Sequence, residues 1–172
     1  NREGIWPIAT LIGSAIIMIL SFWMSFFNLP MKYIWIVISI LCIILWVLVA
    51  KHGYITKQLL IPTRYDRLLL LICFVAGFLS LIPMVGFRAC FPYGDGYTYI
   101  SIADYLLEHG YGTTAIIDEY TPWLTQIYLY QIMGLRMGAQ FLLSFWTAVF
   151  HEEFSIFVYA PVSALGVFLY GA

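Results

Sequence analysis

Asp95 stands between Gly94 and Gly96 in an otherwise oily chain and opens the run Asp95 to Gly110, where acidic, hydroxyl and aromatic side chains recur in order. Glycine on both sides lets the backbone turn sharply and lets a bulky ligand approach the carboxylate. A carboxylate held in this way can take a proton from an attacking hydroxyl or amide. It can also cap the helix that follows by accepting a backbone N–H, and the two roles coexist, because the helix dipole keeps a capping carboxylate ionised. Farther along, Asp118 and Glu119 are adjacent acids in the loop Tyr111 to Tyr120. Alone they read as a solvated acidic turn; with Asp95 they could bridge a divalent cation, Mg or Mn, through oxygen ligands only. No His or Cys spacing specifies a metal. Arg88 and Arg136 offer the opposite chemistry, since guanidinium presents a planar fork of donors suited to phosphate oxygens. Arg88 also reads as a headgroup anchor at a helix end, whereas Arg136 is set among apolar residues.

The elements that must position these groups are those of an all-α, polytopic membrane protein. Hydrophobic residues make up 63% of the chain and charged residues 10%, against about a quarter charged in a soluble domain. Pro7 to Phe27, Tyr33 to Ala50 and Leu68 to Phe87 contain no Asp, Glu, Lys, Arg or His, and each matches the roughly 20 residues that cross a bilayer as a helix. A signal peptide has a shorter apolar core of about 7 to 15 residues. A fourth apolar stretch opens near Ser155 and is still running at Ala172, so the expectation is about four transmembrane helices at the N-terminal end of a longer protein. Cys42, Cys73 and Cys90 are scattered and suggest no disulfide framework; they read as small buried apolar residues.

Charge gives the orientation. Lys51, Lys57, Arg64 and Arg67 face one acid, Asp66, in the segment 51–67, which makes that segment, and with it the N-terminus, cytoplasmic. Residues 88–154 then form a large outer or lumenal loop. A net charge of −1 argues against nucleic acid as a partner. Residues 1–50 read as a transmembrane hairpin turning at Asn28 to Lys32, an appendage anchored by Trp23, Phe26, Phe27, Tyr33 and Trp35. Within the outer loop, Thr98, Ser101, Asp104 and Glu108 mark the polar face of an amphipathic helix, with Tyr99, Ile102, Ala103, Leu106 and Leu107 opposite. Gly110 is expected to end it in a left-handed conformation, and Pro122 to open another. Residues 123–150 read as two interfacial helices broken at Gly134 to Gly138, because a central Arg136 in a single span costs at least about 2.5 kcal/mol. The stripe Gln140, Ser144, Thr147 and His151 suits a helix lying on the surface.

A cytoplasmic basic end, a membrane helix, an outer Asp close behind it and the series Asp95, Tyr99, Ala103, Leu107 and Gly110 together resemble the C superfamily of membrane glycosyltransferases (GT-C), from Leu68 onward. Pro122 and Gly138 fall where such proteins often have a proline and a glycine. The resemblance implies transfer of a sugar from a polyprenyl-phosphate or polyprenyl-diphosphate carrier to an acceptor on the outer or lumenal face, in the cell membrane or endoplasmic reticulum. It implies Asp95 as general base or acceptor-orienting residue, Asp118 or Glu119 as a second acid by region, and Arg136 and Arg88 against the carrier's phosphate. Two other classes fit the composition: a transporter or flippase for a lipid or amphiphile, and a non-catalytic subunit of a membrane complex. The transporter calls for ionisable residues near the bilayer midplane, which the three uncharged spans lack.

Overall fold

The computed structural model describes residues 5–52, 61–86, 94–135, 137–153, 158–159 and 161–162. These form the helices α1 (Ile5–Phe26), α2 (Met31–Lys51), α3 (Arg64–Gly86), α4 (Gly94–Glu108), α5 (Leu124–Met133) and α6 (Gly138–Phe150), and no strand occurs among the described residues. The third apolar stretch, Leu68 to Phe87, is helical as α3 as far as Gly86. Most of the fourth apolar stretch lies outside the described residues.

The α1–α2 hairpin reverses at Asn28, whose φ of 63° is left-handed; asparagine is one of the few residues other than glycine that enters this region readily. Pro30 then precedes α2 in an extended conformation (φ −69°, ψ 151°), and its carbonyl accepts the N–H groups of Tyr33 and Ile34. The start of α3 is a reciprocal box: Thr63 donates its N–H and hydroxyl to Asp66 Oδ2, while the Asp66 N–H donates to Thr63 Oγ1. Such a cap contributes about 1 kcal/mol to a helix. Asp66, the lone acid of the basic segment, is therefore a structural residue.

Helix α6 is the centre of the packing. It touches α1, α2 and α4, and Phe141 on it meets Phe22 of α1 edge-on at 5.8 Å between ring centroids. His151 at its end meets Trp35 of α2 at 5.3 Å. Met31, Ile34 and Ile38 form one fully buried face of α2 and share a core with Ile102 and Leu106 of α4, Ile127 of α5, and Phe141 and Phe145 of α6. A second cluster joins Ile100 and Ala103 to Leu143 and Val158.

Two expectations change here. The polar stripe of α6 does not lie on a surface: Gln140, Ser144 and Thr147 are buried, and only His151 is exposed. A helix enclosed by three others has little polar side to spare, and Thr147 settles its hydroxyl on the Leu143 carbonyl one turn back. The hairpin is likewise no appendage, since its turn-side half carries part of the main core. The break between α5 and α6 does fall where expected. Gly134 takes a left-handed φ of 60° and ends α5, with its N–H and that of Leu135 on the Tyr130 carbonyl.

Burial divides the hairpin lengthwise. Its turn-side half is covered, but α2 from Ile40 onward is bare and almost wholly apolar, with Ile43 and Trp46 well exposed. Leu71, Phe74 and Phe78 of α3 are similarly open. Ile8–Phe26 and Met31–Lys51 are long and apolar enough to cross a membrane and are mostly unburied, unlike the core helix of a soluble protein. Apolar surface of this extent marks a face covered by lipid or by another chain. Cys42 belongs to it: the residue is exposed and not the buried filler expected.

Candidate functional site: the cleft beside α4

Helix α4 has the two faces its spacing predicts. Ile102, Ala103 and Leu106 are fully buried, while Tyr97, Ser101, Asp104, Tyr105 and Glu108 form one wall of a cleft of about 740 Å³. Thr113, Thr114, Ile116, Thr121, Trp123 and Leu124 form the other wall. Tyr97 and Trp123 keep 47% and 44% of their surfaces exposed, so both rings are available to an entering ligand.

The second wall is loop, and its rigidity comes from side chains distant in sequence. Gln131 of α5 donates to the carbonyls of Tyr111 and Thr113, both at 2.7 Å, and accepts the Ala115 N–H at 3.1 Å. The Tyr105 hydroxyl donates to the Thr113 carbonyl at 2.8 Å. From the hairpin, Ser25 Oγ accepts the Tyr111 N–H at 2.8 Å, and Asn28 Oδ1 accepts the Thr113 hydroxyl at 3.3 Å. Gly110 and Gly112 make this close approach feasible. A Cβ on Gly110 would overlap the Asn28 backbone, and one on Gly112 would lie 2.6 Å from the Phe26 carbonyl oxygen. Gly110 is thus required for contact and not for a left-handed helix stop, since among the described glycines only Gly134 has a positive φ. Lys32, just past the turn, pairs with Glu108 at the end of α4.

The cleft's polar groups are mostly acceptors. Ser101 donates its hydroxyl proton to the Tyr97 carbonyl, Thr113 donates to Asn28, and Thr121 donates to Asp118 Oδ1 at 2.6 Å. Each hydroxyl keeps lone pairs for a partner, and the carboxylates of Asp104 and Glu108, when ionised, only accept. Among the described residues, no Lys or Arg lines the cleft. Tyr105 and His109 stack at 4.6 Å with an interplanar angle of 14°, and burial pushes the Tyr105 hydroxyl above its ordinary pKa, so it remains a donor at neutral pH.

The expected site residues are distributed unevenly. Asp95 is in the first turn of α4, where the helix dipole favours a negative charge. Asp118 lies at the cleft rim, held by the Thr121 hydroxyl and the Tyr120 N–H. Those hydrogen bonds, the Thr121 hydroxyl first, lower its carboxyl pKa. Glu119 is exposed beside it. Arg88 and Arg136 lie outside the described residues. A cation bridging Asp95 with Asp118 or Glu119 would have to share Asp118 with its turn, and no group of three or more metal-ligating side chains occurs among the described residues. Asp104 and Glu108 are cleft residues that the sequence offered only as helix polarity, and Trp123 only as the start of the stretch 123–150. Comparison of the chain with known protein families, curated proteins and solved structures finds no match.

Proposed function

We propose that this chain acts as an integral-membrane glycosyltransferase, moving a sugar from a polyprenyl-phosphate- or polyprenyl-diphosphate-linked donor to an acceptor on the outer or lumenal face. One observation carries the reading: the segment resembling GT-C enzymes is a helix with Asp95 in its first turn, and one side of that helix walls an open cleft. At about 740 Å³ the cleft falls within the range of small-molecule sites, roughly 300 to 1,000 Å³. Apolar helices long enough to cross a bilayer pack beside it, which would keep a prenyl-borne donor close.

In this reading Asp95, at the head of α4, takes the acceptor's proton as the acceptor oxygen or nitrogen attacks the anomeric carbon. The carrier phosphate leaves from the opposite side, with inversion. Arg136 and Arg88 are assigned to that phosphate, and Asp118 and Glu119 to the rim where the acceptor enters. With Asp95 in the first turn of α4, the reacting bond belongs at the end of the cleft nearest the start of that helix. The test is sugar transfer by the full chain in proteoliposomes, using a panel of polyprenyl-phosphate sugars. Asp95→Asn keeps the shape and removes the base, so the rate should fall by about 10² to 10⁴. Transfer at the wild-type rate would reject Asp95 as the base and, with it, this reading.

A further inference from the structure

We propose that the outer side of α5, with Leu135 just past it, is a docking surface for lipid: the helix lies in the leaflet on the turn side of the hairpin and fixes the cleft loop to the membrane. The proposal uses the membrane setting of the chain and none of the transfer chemistry.

The polarity of α5 is the first argument. An amphipathic helix at a water-facing surface turns its polar side chains outward, and α5 does the opposite. Gln126 accepts a hydrogen bond from the Thr98 hydroxyl of α4 at 3.4 Å, and Gln131 is engaged with the backbone of Tyr111, Thr113 and Ala115. Ile127 is buried, and Leu124, Tyr128 and Tyr130 pack against the main core. The residues left exposed are Leu129, Ile132 and Met133, followed by Leu135, and Ile132 and Met133 each keep 63% of their surface open. Residues 122–135 contain no Asp, Glu, Lys, Arg or His. A helix that points its polar groups at the protein and its apolar groups away from it is built for an apolar neighbour.

The borders of this surface identify the neighbour as lipid. Ahead of it in sequence stand the exposed acids Asp118 and Glu119, then the exposed rings of Tyr120 and Trp123. Charge, then amphipathic aromatics, then bare aliphatics is the order met on passing from water into hydrocarbon. On the other side, Gln131 donates to the Tyr111 carbonyl, and the Tyr111 ring lies 5.7 Å from Phe22 of α1. Two contacts therefore lead from α5 to a helix long and apolar enough to cross a membrane, on which Ile19, Trp23 and Phe26 are exposed. The bare surface of the hairpin continues onto α5. With 10 residues, α5 is about 15 Å long, half of a hydrocarbon core of roughly 30 Å, so it occupies one leaflet and does not span. Because Gln131 also holds the Thr113 carbonyl and the Ala115 N–H, seating α5 in lipid keeps the loop wall of the cleft at the membrane surface.

The experiment is spin-label accessibility in the full chain, reconstituted in phosphatidylcholine nanodiscs with Cys42, Cys73 and Cys90 replaced. A nitroxide is attached through Met133→Cys, with Glu119→Cys as the water reference and Ile43→Cys as the lipid reference. Each is relaxed in turn by oxygen, which concentrates in lipid, and by a neutral nickel chelate, which stays in water. The oxygen-to-nickel ratio at Met133→Cys should shift well above that at Glu119→Cys, toward that at Ile43→Cys. Leu129→Cys repeats the measurement one turn back and serves if the first variant does not fold. A ratio at either position equal to that at Glu119→Cys would overturn the proposal, because α5 would then face water. Low accessibility to both reagents would overturn it too, since protein, from a second chain or from elsewhere in this one, would cover the face. Lipid-exposed labels without Asp95-dependent transfer would keep this surface and remove the proposed reaction; water-exposed labels with Asp95-dependent transfer would do the reverse.

Discussion

Asp118 carries a prediction that can be read at one residue. Its carboxylate accepts from the Thr121 hydroxyl and the Tyr120 N–H, which stabilises the charged form and holds its pKa below the ordinary value. A group depressed in the folded state adds stability above its unfolded pKa, about 3.9 for aspartate. That contribution is lost as pH falls through the folded value. The 118–121 turn should therefore be insensitive to pH through neutrality and loosen only below about pH 4. Thr121→Val removes the largest cause, so carbon-detected NMR titration should show the Asp118 pKa moving up toward the ordinary value; an unmoved titration would contradict the assignment. Sequence identified Asp118 as a candidate but could not reveal its partner's use, because Thr121 is both the hydroxyl that holds Asp118 and a cleft residue. Asp104 was legible as a polar helix position and no more, since the wall opposite it is supplied by a loop.

Between elements, the joint of hairpin turn and cleft loop is the most specific contact. Ser25 and Asn28 accept from Tyr111 and Thr113, and the Gly110 backbone packs directly on Asn28. Gly110→Ala has no room and should part the turn from the loop. Gly134→Ala meets open space, although its left-handed φ makes the substitution strained, at about 1 to 2 kcal/mol. Chemical unfolding in detergent should find Gly110→Ala the more destabilising, and should find its cleft ligand binding weakened as well. Equal effects would mean that the joint contributes little. Local periodicity made both faces of α4 and the break at Gly134 legible, because each depends on neighbours within a few residues. Helix α6 was not legible in that way: Gln140, Ser144 and Thr147 are spaced like an outward stripe, and only the arrival of α1, α2 and α4 turns them inward. Gly110 shows the same limit, since its partner, Asn28, is most of a hundred residues away in sequence.

At the scale of the molecule, one end of the hairpin is clothed and the other is bare. The turn end is covered by α4, α5 and α6 and holds the cleft loop, whereas the far half of α2 and much of α3 expose apolar side chains. The proposed orientation follows from joining this division to the basic segment beyond Lys51: the turn end with its acidic helix faces outward, the bare halves lie in lipid, and the basic segment faces the cytoplasm. The proposed glycosyltransferase activity depends on the cleft's lying on the outer side, and single-cysteine labelling tests that most directly. In a chain with Cys42, Cys73 and Cys90 replaced, Glu119→Cys, Lys51→Cys and Ile43→Cys would be treated in turn with a membrane-impermeant maleimide on intact cells. The account predicts labelling of Glu119→Cys at once, of Lys51→Cys only after permeabilisation, and none of Ile43→Cys. Labelling of Glu119→Cys and Lys51→Cys from the same side, or ready labelling of Ile43→Cys in water, would contradict it.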